Sequence, residues 1–415
     1  MAITSLYSSK QIEVLKFALK KDFFMLINHG AKRSGKTIVD NDIFIAELRR
    51  IKKIANQEMI NEPQYILAGA TLSSLERNVL VELRNKYGLK IKLNKFNQFK
   101  LFGVLVCCFG HSITNDLDRI RGMTSYGAYI NEATLANEEV FNEIKSRCSG
   151  TGARIILDTN SDSPEHYLKK DYIDKEDGEI IKCFHWELDD NERFLTKRYI
   201  DNIKATTPSG MFWDRDILGL WVTAEGVVFA DFNKDKHYIE SVKNINFKKY
   251  IAGVDWGYSH YGAIVVIGID TNDNYYLVEE HAKQFEEIDY WVGVAKGIKE
   301  RYGNISFYCD TARPEYIERF KKEGLRAIDA DKSVLSGIEA VAKLYKTDRL
   351  YIISSVKRFR EEIYMYVWAD KKDEPLKVYD DVQDAIRYAI YTSQQENKMR
   401  MTNQPFINIP TKGRF

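Results

Sequence analysis

Phe23-Phe24-Met25-Leu26-Ile27-Asn28 runs almost directly into Gly30-Ala31-Lys32-Arg33-Ser34-Gly35-Lys36-Thr37. The second stretch fits G-x-x-x-x-G-K-[ST] at every fixed position. The first is an apolar run of strand length, and 37–55 has helical periodicity. Strand, loop and helix in that order place backbone N–H groups and a helix N-terminus around one point, a cradle for phosphate oxygens. Lys36 is then placed to reach the β- and γ-phosphates of ATP, and the Thr37 hydroxyl to hold Mg²⁺. Gly30, Arg33, Ser34 and Gly35 complete the candidate nucleotide contact. A glycine-rich surface turn is the bland alternative, and the flanking strand and helix argue against it.

Outward from this loop, 9–20 reads as an amphipathic helix, with Gln11 as a candidate reader of adenine. Further buried-strand candidates are 65–70, 104–109, 128–131 and 154–159, with helical stretches between several of them. This alternation predicts a parallel α/β sheet, a P-loop NTPase domain over 1–196. The stretch 197–225, with Pro208, Gly210 and Gly219, reads as a connector. After it the pattern changes. Three consecutive strands (250–255, 263–269, 275–281) are followed by a strand at 305–310 and helices at 314–323 and 334–345. A strand at 350–353 and helices at 356–369 and 381–394 close the series. That order predicts a ribonuclease H-like domain over 226–394, with a polar, mobile tail at 395–415.

Tyr129-Ile130-Asn131-Glu132 ends a strand of the first half. The usual strand-end pair is Asp-Glu, whose Asp binds Mg²⁺ through water and whose Glu orients the attacking water. Glu132 keeps the second role. Asn131 replaces the Asp, and its amide oxygen is expected to accept from a metal-bound water without supplying charge. Thr159-Asn160 ends the next strand, where such sheets face the γ-phosphate. Arg33, Arg77, Arg119 and Arg121 are candidates for stabilising charge during hydrolysis, Arg33 foremost.

Asp255 and Asp310 each close a strand of the second half. If those strands are neighbours, the two carboxylates converge. Asp381 and Asp384 share a helix face, and Asp380 precedes them. Converging carboxylates repel one another unless a cation sits among them. Two Mg²⁺ or Mn²⁺ ions roughly 3.5–4 Å apart would activate water and stabilise the leaving oxygen of a phosphodiester. The candidate ligands are Asp255, Asp310 and Asp384, with Asp381 peripheral. No His or Cys stands at these positions, which disfavours zinc. Taken singly, a strand-end or helix-cap Asp is structural more often than not.

The bulk numbers are permissive. The 415 residues suffice for two or three domains, and 44% apolar with 29% charged residues is ordinary for a globular chain. Lys plus Arg (61) nearly equals Asp plus Glu (60), so nucleic-acid binding must come from local patches. The five cysteines show no C-x-x-C spacing and are expected to be reduced and buried. No apolar run reaches membrane-spanning length, and Met1 to Lys10 carries no signal-peptide pattern.

At GAKRSGKT (30–37), RGMTSYGAYINEAT (121–134), DTNSDSPEHYL (158–168), GLWVTAEGVVFADF (219–232), GVDWGY (253–258) and DDVQDAIRYAIY (380–391), the chain resembles the large terminase subunit of tailed bacteriophages over nearly its whole length. The resemblance implies an ATP-driven motor that moves double-stranded DNA into a procapsid and cuts concatemeric DNA with a two-metal nuclease. It implies Lys36 and Thr37 on Mg-ATP, Glu132 as hydrolytic base and Thr159-Asn160 as coupling residues. It implies Asp255, Asp310 and Asp384 as nuclease ligands. It also implies a small terminase subunit and a portal protein as partners, a pentamer during packaging, and work in the host cytoplasm docked on the portal. Asn131 departs from the family pattern, and Asp381 stands where relatives often place His. Two readings compete: an integrase- or resolvase-like nuclease with an accessory ATPase, and a P-loop switch or docking protein with structural carboxylates.

Overall fold

The structure is a computed structural model that describes residues 6–402. The chain divides into two compact units. One comprises 1–204 with 211–223, the other 205–210 with 224–415.

The first unit is built on seven strands: β1 (Met25–Gly30), β2 (Gln64–Gly69), β3 (Gln98–Leu101), β4 (Val104–Gly110), β5 (Ser125–Ile130), β6 (Arg154–Asn160) and β7 (Ile181–Trp186). Their order is β3-β4-β2-β5-β6-β1-β7. Every pair is parallel except the edge hairpin β3–β4. Side chains alternate across the sheet. Leu26, Leu67, Tyr129 and Ile156 pack on one face with Val14, Val39 and Phe44 from helices Ser9–Lys20 and Lys36–Gln57. Ile27, Ile66, Ile130 and Leu157 pack on the other with Val140, Phe141 and Ile144 from helix Glu138–Arg147. A parallel sheet covered on both faces has apolar strands throughout. That is why β1, β2, β4, β5 and β6 were legible in the sequence. The edge strands β3 and β7 were not foreseen: Lys100, Lys182 and His185 interrupt their apolar character.

The second unit holds β8 (Tyr238–Ile239), β9 (Phe247–Asp255), β10 (Gly262–Asp270), β11 (Tyr275–Lys283), β12 (Ser306–Cys309), β13 (Arg326–Asp329) and β14 (Leu350–Ile353). Their order is β13-β12-β9-β10-β11-β14-β8. The central three are antiparallel, and the flanking pairs are parallel. This is the mixed sheet expected of a ribonuclease H-like domain. On one face, helices Ile288–Tyr302 and Pro314–Lys322 cover Ala252, Val254, Ile264 and Val266. Helix Asp381–Thr402 lies against β9 and β10.

The connector 197–225 contains helices Lys197–Thr206 and Met211–Asp216, joined through Thr207-Pro208-Ser209-Gly210. Two expectations are corrected. The helix expected over 356–369 shrinks to Arg358–Glu362. Beyond it Val367 bridges Val227 and Trp368 bridges Pro375, so the backbone has gone over to isolated strand pairing. The closing helix does not stop at Gln394 but runs on to Thr402, so the first part of the expected mobile tail is helical. The remainder of that tail, 403–415, and the first five residues lie outside the described residues. All five cysteines are buried and free.

Candidate functional site

Two cavities, one in each unit, hold most of the residues singled out from the sequence.

In the first unit, parallel pairing brings the C-terminal ends of β1, β5 and β6 to one edge. Gly30 stands opposite Asn160 and Asn28 opposite Asp158. There a cavity of about 610 Å³ is lined by the loop from Lys32 to Thr37, with Arg77, Asn78, Glu132, Asp158, Thr159, Asn160 and Asn191. Gly30 (φ 136°) and Gly35 (φ 96°) adopt backbone conformations that L side chains rarely take. Gly35 opens helix Lys36–Gln57, so the helix N-terminus faces the cavity. The Lys36 ammonium donates to Gly30 O (3.1 Å), Ala31 O (2.5 Å), Ser34 Oγ (3.2 Å) and Asn160 Oδ1 (3.3 Å). Burial lowers its pKa to about 8, against the pull of Asp158 and Asp40. It is thus a cation held by neutral acceptors, a favourable place for an anionic phosphate to replace them.

Glu132 is half-buried and in the left-handed region (φ 56°), a strained posture for a carboxylate residue at a cavity edge. Burial and Asp158 raise its pKa. Thr159 Oγ1 accepts from the Thr134 N–H (2.9 Å), tying the end of β6 to the segment after Glu132. Among the candidate arginines, Arg33 and Arg77 line the cavity, Arg77 from a π-helical turn, Glu76–Leu80. Arg119 and Arg121 do not. They are engaged with Asp116 and Asp118 on short helices.

Gln11 and Asn131 are placed differently from expectation. The Gln11 amide accepts from the Ser8 N–H (3.0 Å) and donates to Gly35 O (3.1 Å). One lone pair and one N–H of the amide are thus used in capping a helix and bracing the loop. Asn131 is fully buried and outside the cavity lining. Its Nδ2 donates to Asp158 Oδ1 (2.9 Å) and Oδ2 (3.1 Å), and its Oδ1 accepts from Asn78 Nδ2 (3.1 Å). The oxygen expected to face a metal-bound water is already occupied. Asp158, Asn78 and Asn191 were missed in the sequence. For Asp158 the signal was a carboxylate one residue before Thr159-Asn160.

In the second unit, β9 and β12 are parallel neighbours with Val254 opposite Cys309, and the Asp310 N–H donates to Val254 O (2.9 Å). Asp255 and Asp310 therefore leave adjacent strands side by side. Helix Asp381–Thr402 adds Asp384 and Asp381, and Asp380 precedes it. All five carboxylates line one cavity of about 740 Å³. Burial, then Asp384 and Asp310, raises the pKa of Asp255 well above the carboxylate range. Burial and Asp384 bring that of Asp380 up to about 6.

Cations meet this charge. Lys332 Nζ lies 2.6 Å from Asp310 Oδ1, and Lys377 Nζ lies 3.6 Å from Asp384 Oδ2. Buried Arg387 holds Asp384 Oδ1 at 3.1 Å. Asp381 is turned to His260 Nδ1 (3.1 Å) and Arg358 (3.2 Å). Among the described residues, no three or more His, Cys, Asp or Glu side chains form a finished metal shell. The donor set still fits Mg²⁺ or Mn²⁺: it is all carboxylate oxygen, in a group whose mutual repulsion a divalent cation relieves. The lysines, Arg358 and Arg387 were not foreseen, because a lone basic residue far along the chain carries no pattern.

A family described as terminase large subunit, T4likevirus-type, N-terminal, matches residues 13–234, and a terminase RNaseH-like domain family matches 252–392. The chain is similar to the large terminase of a thermophilic bacteriophage, at 26% identity and a TM-score of 0.75, covering 94% of this chain and 98% of that one. Structures of the same phage protein in complex with ADP and with ATP-γ-S match at 26% identity and a TM-score of 0.72, covering 93% of this chain and 99% of theirs. No curated protein matches.

Proposed function

This chain belongs to the terminase large subunit family, and on that premise we propose how its two cavities divide the work. It is a DNA-packaging ATPase with a ribonuclease H-like nuclease half. The observation that carries this reading is the pairing, in one chain, of the cavity around Lys36 and Glu132 with the cavity of five aspartates.

In the motor half, 1–196, the loop from Gly30 to Thr37 holds the phosphates of Mg-ATP. Glu132 orients the attacking water, and Thr159-Asn160 carry the hydrolytic state to the rest of the sheet. The similarity to the nucleotide-bound structures of the thermophilic phage protein supports this use of the loop. A linking segment, 197–225, leads to the nuclease half, 226–394. There Asp255, Asp310 and Asp384 hold two Mg²⁺ or Mn²⁺ ions, with Asp381 at the periphery. When bound, the ions supply activated water and charge neutralisation at the scissile phosphodiester. The partners are double-stranded DNA, a small terminase subunit and the portal of a procapsid. The motor acts as a pentamer in the host cytoplasm. No helix among the described residues is long and apolar enough to cross a membrane.

The test is to measure DNA-stimulated ATP hydrolysis and Mn²⁺-dependent plasmid cleavage on one preparation. Both activities are expected. A preparation that binds ATP but shows neither DNA stimulation nor cleavage would instead favour a switch or docking protein.

A further inference from the structure

We propose that Asp158, on β6, supplies the carboxylate for the water shell of the nucleotide's magnesium, and that Asn131 is the positioning amide that aims it. The proposal rests on the nucleotide reading of the Gly30–Thr37 loop. A strand-end carboxylate is the group that ordinarily takes this ion, and position 131 lacks one.

The charge has moved one strand inward. β5 and β6 are parallel, with Ile130 opposite Leu157, so residues 131 and 158 come next, side by side. Asp158 is beside β1, opposite Asn28, and therefore nearer the phosphate loop than Asn131 is. It lines the nucleotide cavity together with Lys36, Thr37 and Glu132, whereas Asn131 does not. Its negative charge pulls the Lys36 pKa up against the effect of burial.

The hydrogen bonds around Asp158 are those of an aimed ligand. Oδ1 accepts from the Glu132 N–H (2.8 Å) and from Asn131 Nδ2 (2.9 Å). Oδ2 accepts from the Tyr129 hydroxyl (2.9 Å) and shares the Asn131 amide at 3.1 Å. Each oxygen thus meets two donors, with the Asn131 amide shared between them, so an ion-bound water would take the place of the longer 3.1 Å contact at Oδ2. None of these donors neutralises its charge. Asn131 in turn is fixed by Asn78 through its oxygen, so its amide nitrogen must face Asp158. An Asp at 131 would present a carboxylate to a carboxylate. The pair Asn131–Asp158 thus works only with the charge on the inner strand. Because Asp158 also holds the Glu132 backbone, the ion and the water-orienting carboxylate share one support.

The test uses the full chain and a fluorescent, non-hydrolysable ATP analogue, with binding followed as Mg²⁺ is titrated. Asp158→Asn is expected to raise the half-saturating Mg²⁺ about tenfold or more, while analogue affinity without metal changes less than about twofold. The double variant Asn131→Asp with Asp158→Asn exchanges acceptor and donor, keeps the pair hydrogen-bonded, and remains informative if the single variant fails to fold. Its Mg²⁺ requirement is expected to stay raised, because position 131 is outside the cavity. A wild-type Mg²⁺ requirement in Asp158→Asn, or its recovery in the double variant, overturns the proposal. If the wild-type chain binds no analogue at any Mg²⁺ concentration, the nucleotide reading itself falls and takes the proposal with it.

Discussion

The carbonyl oxygen of Ala385 lies 1.8 Å from where a Cβ on Gly253 would stand. Helix Asp381–Thr402 therefore rests directly on the backbone of β9, two residues before Asp255. This contact sets how far Asp384 is from Asp255. Gly253→Ala cannot be absorbed by a side-chain rotation, since the clash is with backbone. Overpacking of this kind costs about 1–3 kcal/mol, occasionally more. The variant is expected to melt several degrees below wild type and to lose most cleavage, with ATP hydrolysis retained. An unchanged melting temperature would show that the helix is not held there.

Lys36→Ala is expected to abolish ATP hydrolysis and to leave metal-dependent nicking largely intact. The ammonium is buried within the loop, while the aspartates sit on the other unit. Glu132→Gln should bind nucleotide yet lose turnover, because an amide cannot orient the attacking water as a carboxylate does. Nucleotide binding and steady-state hydrolysis, measured on both variants, check this. ATPase near the wild-type rate in Lys36→Ala would refute the loop assignment.

Asn131→Asp alone is expected to destabilise the first unit rather than to improve metal binding. It would set a second carboxylate against Asp158, where the amide now donates at 2.9 Å and 3.1 Å, and leave both buried. Thermal melting should drop by several degrees at pH 7, and lowering the pH should narrow the gap as one carboxyl gains a proton to donate. A gap that widens on acidification would contradict the paired arrangement.

The sequence was readable where chemistry and periodicity coincide. The loop Gly30–Thr37 carries its own pattern, and the buried strands around it are apolar because both sheet faces are covered. Asp255 and Asp310 could be paired because each ends a strand, and parallel neighbours deliver their ends to the same edge. What could not be read were relationships set by register between distant segments. Nothing in 129–132 announces that Asn131 has its partner on β6. Nor does anything around Lys332 or Lys377 announce that they face aspartates far away in sequence. Val356 to Ala369 was misread as helix because its local preference yields to the bridges of Val367 and Trp368. Glu362 just before them is buried, and it accepts from the N–H groups of Val382 and Gln383.

The nuclease cavity gives the last prediction. Asp255→Asn, Asp310→Asn and Asp384→Asn should each remove Mn²⁺-dependent cleavage, and EDTA should abolish it in the wild type. Asp381→Asn should do less, since that carboxylate is engaged with Arg358 and His260. Lys332 and Lys377 compete with metal for Asp310 and Asp384. Both lysine side chains are open to solvent, so their attraction is weakened and divalent ions can displace them. Lys332→Met removes one competitor and keeps the stem, so it should lower the half-saturating Mn²⁺ for binding by a few-fold, read by calorimetry on the full chain. If Lys332→Met instead weakens Mn²⁺ binding, the lysine is holding Asp310 in a metal-ready position. If Asp255→Asn cleaves at the wild-type rate, the aspartates are not the ion's ligands.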